Sequence, residues 1–114
     1  MAVEGVTSVE VFVIEEADGT CALWELAAAW TDDGSEEERR EAVPLLREAV
    51  VNLSRRAFVD VHVLVRSPGG PESAQAVPSH QVAASVADVR RWLRPDESTG
   101  LVTLTLTEAG AWYL

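Results

Sequence analysis

Hydrophobic and polar positions along the chain follow two periods. From Ser8 to Glu15 the run is rich in β-branched residues and close to alternation, with Val9, Val11 and Val13 on one face. That pattern predicts a first strand, and Asp18-Gly19 predicts the turn after it. Leu23, Leu26, Ala27 and Trp30 then recur at helical spacing, with Trp24 beside them and Thr20 available as a cap. A helix through Trp30 is expected. A hairpin using Cys21 to Leu26 as a second strand competes with it, but Ala27-Ala28-Ala29 continues a helix far better than a strand.

Thr31 to Gly34 reads as a loop, and Ser35-Glu36-Glu37-Glu38 as a capping box whose three acids also suit a helix N-terminus. Pro44 fits the first turn of a helix better than its interior. The stretch is therefore expected to split into a short helix over 35–42 and a longer one over 44–56. In the second, Leu46, Val50 and Leu53 line one face, and Arg47, Asn52, Arg55 and Arg56 point elsewhere. Phe58 to Val65 alternates four valines with Asp60, His62 and Leu64, a strand. Residues 67–78, opening with Ser67-Pro68-Gly69-Gly70-Pro71, are the loosest part of the chain.

Ser79 is placed to cap a helix running to Leu93, with Val82, Val86, Val89 and Leu93 inward and Pro95 to Ser98 as its breaker. Leu101 to Thr107 alternates Leu and Val with Thr and predicts a strand; Thr107 then caps a last turn over Glu108 to Leu114. The expected order is β-α-α-α-β-α-β-α in a single domain over residues 1–114.

Charge narrows the partners. The 114 residues carry a net charge of −10 with a pI near 4.5, a field that repels phosphate backbones and anionic membranes. Residues 44–66 run the other way, with Arg47, Arg55, Arg56 and Arg66 against Glu48 and Asp60. All nine basic residues are arginines. The lone cysteine, Cys21, fits a reducing compartment. With no apolar run of membrane-spanning length and no basic, apolar leader, a cytoplasmic location and no membrane partner are expected.

Two local segments carry a resemblance. Leu53-Ser54-Arg55-Arg56-Ala57-Phe58-Val59 resembles the end of a recognition helix turning into the first wing strand of winged helix-turn-helix regulators, most closely the MarR-type ones. Leu106-Thr107-Glu108-Ala109-Gly110 is similar to the Leu-Thr-x-x-Gly segment that closes the wing in many of them. Together they cover about 12 of the 114 residues. The chain departs from the pattern at Ala57, where a glycine is usual, and in the 35 residues between the two wing strands, where a short hairpin is usual. The resemblance implies an α+β, winged-helix-like fold: three helices, then a small antiparallel sheet with an extra helix inserted between the wing strands. A sandwich of helices on a small antiparallel sheet is the other arrangement this order allows. It also implies that Arg47, Asn52, Arg55 and Arg56 face DNA or a partner, arginine suiting phosphate or guanine and asparagine suiting adenine.

Catalytic chemistry is not indicated. His62 alternates with valines on a strand, His80 sits at a helix start, and neither stands at ligand spacing from the other or from Cys21. No nucleophile elbow, phosphate-cradling loop or dinucleotide fingerprint occurs, so no catalytic residue, metal ligand or cofactor is assigned. Of four tryptophans, Trp24, Trp30 and Trp92 are expected in the core, or else around a small-molecule pocket. Trp112, Tyr113 and Leu114 form an apolar C-terminal cluster that must dock on its own domain or on a second copy, giving a homodimer. The leading expectation is a non-enzymatic regulatory or adaptor protein with protein partners. A sequence-specific DNA-binding regulator is the alternative, and a small-molecule-binding protein the third.

Overall fold

The first helix, α1 (Ser8–Ala17), occupies the segment whose alternation predicts a strand. In this computed structural model, which describes residues 6–65, 73–93 and 101–113, Thr7 and Glu10 close a capping box. The Glu10 N–H donates to Thr7 Oγ1 at 3.1 Å, and the Thr7 N–H donates to Glu10 Oε1 at 2.9 Å. Glu10, Val13, Ile14 and Ala17 are the buried positions, a three-four spacing that belongs to a helix. Valine and isoleucine cost a helix only a few tenths of a kcal/mol each. Complete burial of Val13 and Ile14 in the core outweighs that, so the strand expectation for Ser8 to Glu15 is corrected to a helix.

Gly19 turns the chain at φ +104°, after which Cys21–Ala22 forms a two-residue strand, β1. Helix α2 (Leu23–Trp30) follows directly, with Glu25 Oε1 accepting the Ala22 N–H at 3.1 Å. The helix therefore starts two residues later than it would with Thr20 as its cap. Helix α3 (Glu36–Arg55) is a single 20-residue element, not two. Its Ser35–Glu38 capping box forms as expected. Pro44 lies inside α3 on the exposed side, where the carbonyl deprived of a proline N–H partner can face water. Ala42, Val43, Leu46, Ala49, Val50 and Leu53 bury the opposite face along the whole length, and that continuous face overrides the proline as a boundary.

The end of α3 is a Schellman motif. Phe58 N–H donates to the Leu53 carbonyl and Ala57 N–H to that of Ser54, with Ala57 left-handed at φ +61°. The corner thus keeps the backbone a glycine would take, with an alanine in it.

Strands β2 (Val59–Val65), β3 (Ser73–Ala76) and β4 (Leu101–Leu106) complete a four-stranded antiparallel sheet in the order β1-β4-β2-β3. Val61 stands opposite Leu104 on β4, and Leu104 opposite Cys21 on β1. Strand β3 falls within the stretch read as loop; it pairs Ala76 with His62 and Gln75 with Val63. The expected glycine-rich turn at 69–71 and the breaker at 95–98 lie outside the described residues. Helix α4 (Ser79–Ser85) ends at Val86, and a separate 3₁₀ turn spans Val89–Arg91, so one helix to Leu93 is corrected to two shorter pieces. Asp88 caps that turn, and its hydrogen bonds with the side chain and N–H of Arg90 hold its carboxyl down at about 2. Trp92 fixes the break, being fully buried with its indole N–H on the Val86 carbonyl at 2.9 Å. Helix α5 (Glu108–Ala111) is the last element.

The result is α+β: among the described residues, five helices and one four-stranded sheet share one core. Among the described residues no helix is long and apolar enough to cross a membrane. Helix α3 is central, packing on α1, α2, α4 and β2.

Candidate functional site

The outward half of α3 carries charged side chains beside two hollows. Helix α4 lies alongside it, and between them opens a cleft of about 590 Å³, lined by Arg47, Val51, Asn52 and Arg55 from α3, by Ala83 from α4 and by Ala87 just past the end of α4. A smaller notch of about 160 Å³ lies on the other flank, between Val9 and Glu10 of α1 and Leu45 and Ala49 of α3. Glu48 and Asn52 border both.

Three of the four residues expected to make contacts therefore meet in one cleft: Arg47, Asn52 and Arg55. Arg56 does not join them. As the C-cap of α3 it leaves the helix, and its guanidinium sits 4.5 Å above the Phe58 ring.

The arginines divide by partner. Arg39 donates to the Gly34 carbonyl and approaches Asp33; Arg40 pairs with Glu36 one turn back. Arg90 is held by Asp88, and Arg91 donates to the Ser85 carbonyl at 2.7 Å. Among the described residues, Arg47 and Arg55 are the arginines without an ion pair, hydrogen bond or ring contact. Both line the α3–α4 cleft. Acids are interleaved with them, because α3 carries Glu37, Glu41 and Glu48 on the same outward side, alternating with Arg40, Arg47 and Arg55.

The C-terminal cluster divides. Tyr113 turns inward, its ring 4.8 Å from that of Phe58. Trp112 points out and is 86% exposed. Leu114 lies outside the described residues. Trp92 is in the core as expected and Trp24 is half-buried, but Trp30 is exposed, packing one edge against Phe12 at 5.0 Å. No tryptophan lines either cleft described above.

Cys21 is buried, and its thiol is pushed up to about 12, chiefly by burial, with Glu25 and Glu16 adding to it. At neutral pH it is a protonated, buried thiol on β1. His62 is half-buried on the central strand β2, opposite Thr103 and Ala76, and His80 is exposed. Among the described residues no three His, Cys, Asp or Glu side chains converge as metal ligands.

Sequence reasoning placed the arginines on α3 but missed the wall that makes them a cleft. The readable signal was Ala83 and Ala87, small residues four positions apart that let another surface approach closely. No protein-family model matches the chain, and no curated protein or solved structure matches it either.

Proposed function

We propose that this chain is a non-enzymatic regulatory or adaptor protein of winged-helix-like architecture that acts through protein–protein contacts. The element order supports the architecture: three helices precede the paired strands β2 and β4, and the short β1 adds to the outer edge of β4. On this reading β3, α4 and the 3₁₀ turn are an insertion within the wing.

The observation that carries the functional reading is the placement of α4 along the outward face of α3. A recognition helix must enter a major groove about 12 Å wide, which admits one helix. A second helix beside it and acids interleaved along its face both oppose that entry, whereas a protein surface can match alternating charge.

DNA binding through Arg47, Asn52 and Arg55 is the second reading, favoured by the two arginines without partners. Fluorescence-anisotropy titration against genomic-fragment duplexes, from about 20 mM salt upward, separates the two. The protein-contact reading expects no saturable binding at the lowest salt. Binding that weakens steeply with salt and is lost in Arg47→Gln/Arg55→Gln would replace it with the regulator reading. A second copy of this chain is one protein partner that fits this reading, because the Trp112 indole stands open.

A further inference from the structure

We infer that the α3–α4 cleft is a docking site for an acidic peptide segment of a partner protein, gripped at two points by Arg47 and Arg55. This rests on the protein-contact reading above and names the partner's chemistry.

The argument begins from charge. In a chain of net charge −10, an arginine that nothing in its own chain engages is conspicuous. Five of the seven arginines among the described residues are engaged by the protein itself. The two that are not share one cleft, eight residues apart on one helix. At 1.5 Å per residue their backbones stand about 12 Å apart. Guanidinium groups bind carboxylates through paired N–H donors, so the pair specifies two acids at a matching separation.

The rest of the cleft restricts what lies between those acids. Glu48 sits between the arginines in the chain and repels a continuous acidic run; the Asn52 amide beside it offers both a donor and an acceptor. Val51 adds an apolar contact, and Ala83 and Ala87 keep the opposite wall low, so a backbone can approach. The occupant is therefore acid, neutral stretch, acid. On a helix the acids fall seven or eight positions apart, and an extended strand brings them within about four.

Binding of a labelled helix-forming peptide with two glutamates eight positions apart on an alanine–glutamine frame, measured by anisotropy with the full chain at about 20 mM salt, tests this. Saturable binding is expected. It should fall roughly tenfold in Arg47→Gln or Arg55→Gln, about the loss of one charged hydrogen bond, and vanish when both glutamates become glutamines. Ala87→Trp, which fills the cleft from the exposed side of the chain, should also abolish it, with circular dichroism confirming that each variant is folded. No binding, or binding indifferent to the arginines, overturns the inference while the protein-contact reading stands. Arginine-dependent binding of duplex DNA overturns both.

Discussion

The Thr107 hydroxyl donates to the Ala57 carbonyl at 2.7 Å, joining two corners fifty residues apart: the end of α3 and the start of α5. Thr107 N–H reaches the next carbonyl, that of Phe58, while Thr107 Oγ1 also accepts the Gly110 N–H. One threonine thus ties the Leu-Thr-x-x-Gly segment to the helix-to-strand corner, and Tyr113 and Arg56 press on the Phe58 ring from the same junction.

Gly110 sits against this junction so closely that an added Cβ would overlap the Phe58 carbonyl oxygen and crowd Leu106. Helix propensity alone makes Gly→Ala stabilising by about 1 kcal/mol. Gly110→Ala should instead destabilise by about 1–3 kcal/mol, the usual cost of forcing extra atoms into a packed site. Urea unfolding followed by circular dichroism reads the sign, and a stabilised variant would refute the close approach.

Ala57 gives the opposite outcome. Its φ of +61° costs an L-residue about 1–2 kcal/mol, and glycine takes that conformation freely. Ala57→Gly is expected to raise stability by about 1 kcal/mol, a shift of about 4 °C in Tm for a domain of this size. Ala57→Val, β-branched in the same conformation, should lower it.

Trp92 anchors the segment between β3 and β4, fully buried and hydrogen-bonded to Val86. Trp92→Ala should cost about 3–5 kcal/mol. Trp92→Phe should cost less, losing the indole N–H as well as some volume. In a protein retaining Trp92 as its sole tryptophan, emission should be blue-shifted and resist acrylamide until the chain unfolds.

Much of this fold was legible because its patterns are local. The Ser35–Glu38 box, the alternation over 59–65 and 101–107, and the apolar spacing of Leu46, Val50 and Leu53 all form as their spacing implies. Helix α1 departs from the strand expectation because valine and isoleucine serve either element; the decisive box pairs Glu10 inside the alternating run with Thr7, one residue before it. β1 and β3 could not be read that way. Two residues have no period, and Ser73-Ala74-Gln75-Ala76 alternates only through alanine, a residue depleted in strands; each is a strand because a neighbour supplies its ladder. Arg47, Asn52 and Arg55 were identifiable on one helix, but their cleft depends on α4 packing across a long sequence separation. No local spacing encodes that.

At the C-terminus, the inward Tyr113 and outward Trp112 predict separable effects. Trp112→Ala should change monomer stability by less than about 0.5 kcal/mol, as exposed positions do. If Trp112 is the contact for a second copy, sedimentation equilibrium should show a dimer at micromolar concentration and a monomer for the variant. A monomeric parent protein would remove the homodimer. Tyr113→Ala should destabilise the fold itself, through the lost ring contact with Phe58.

Cys21 makes stability fall with rising pH over a defined alkaline window. Its thiol pKa is raised to about 12 in the folded chain, against 9.0 for the unperturbed group. Below pH 9 both folded and unfolded chains hold the proton, and the buried neutral thiol contributes fully. Between about 9 and 12 the unfolded chain releases the proton while the folded one retains it, so stability drops by up to about 1.4 kcal/mol per pH unit. The chain has no lysine and one tyrosine, which leaves this window unusually free of other titrations. Urea unfolding of the parent protein at pH 8 to 10.5 should show the decline, and Cys21→Ala should flatten it. An equal slope in both proteins would mean that the thiol is not held neutral by burial. Native Cys21 should also resist thiol reagents at pH 8, reacting only as the chain opens.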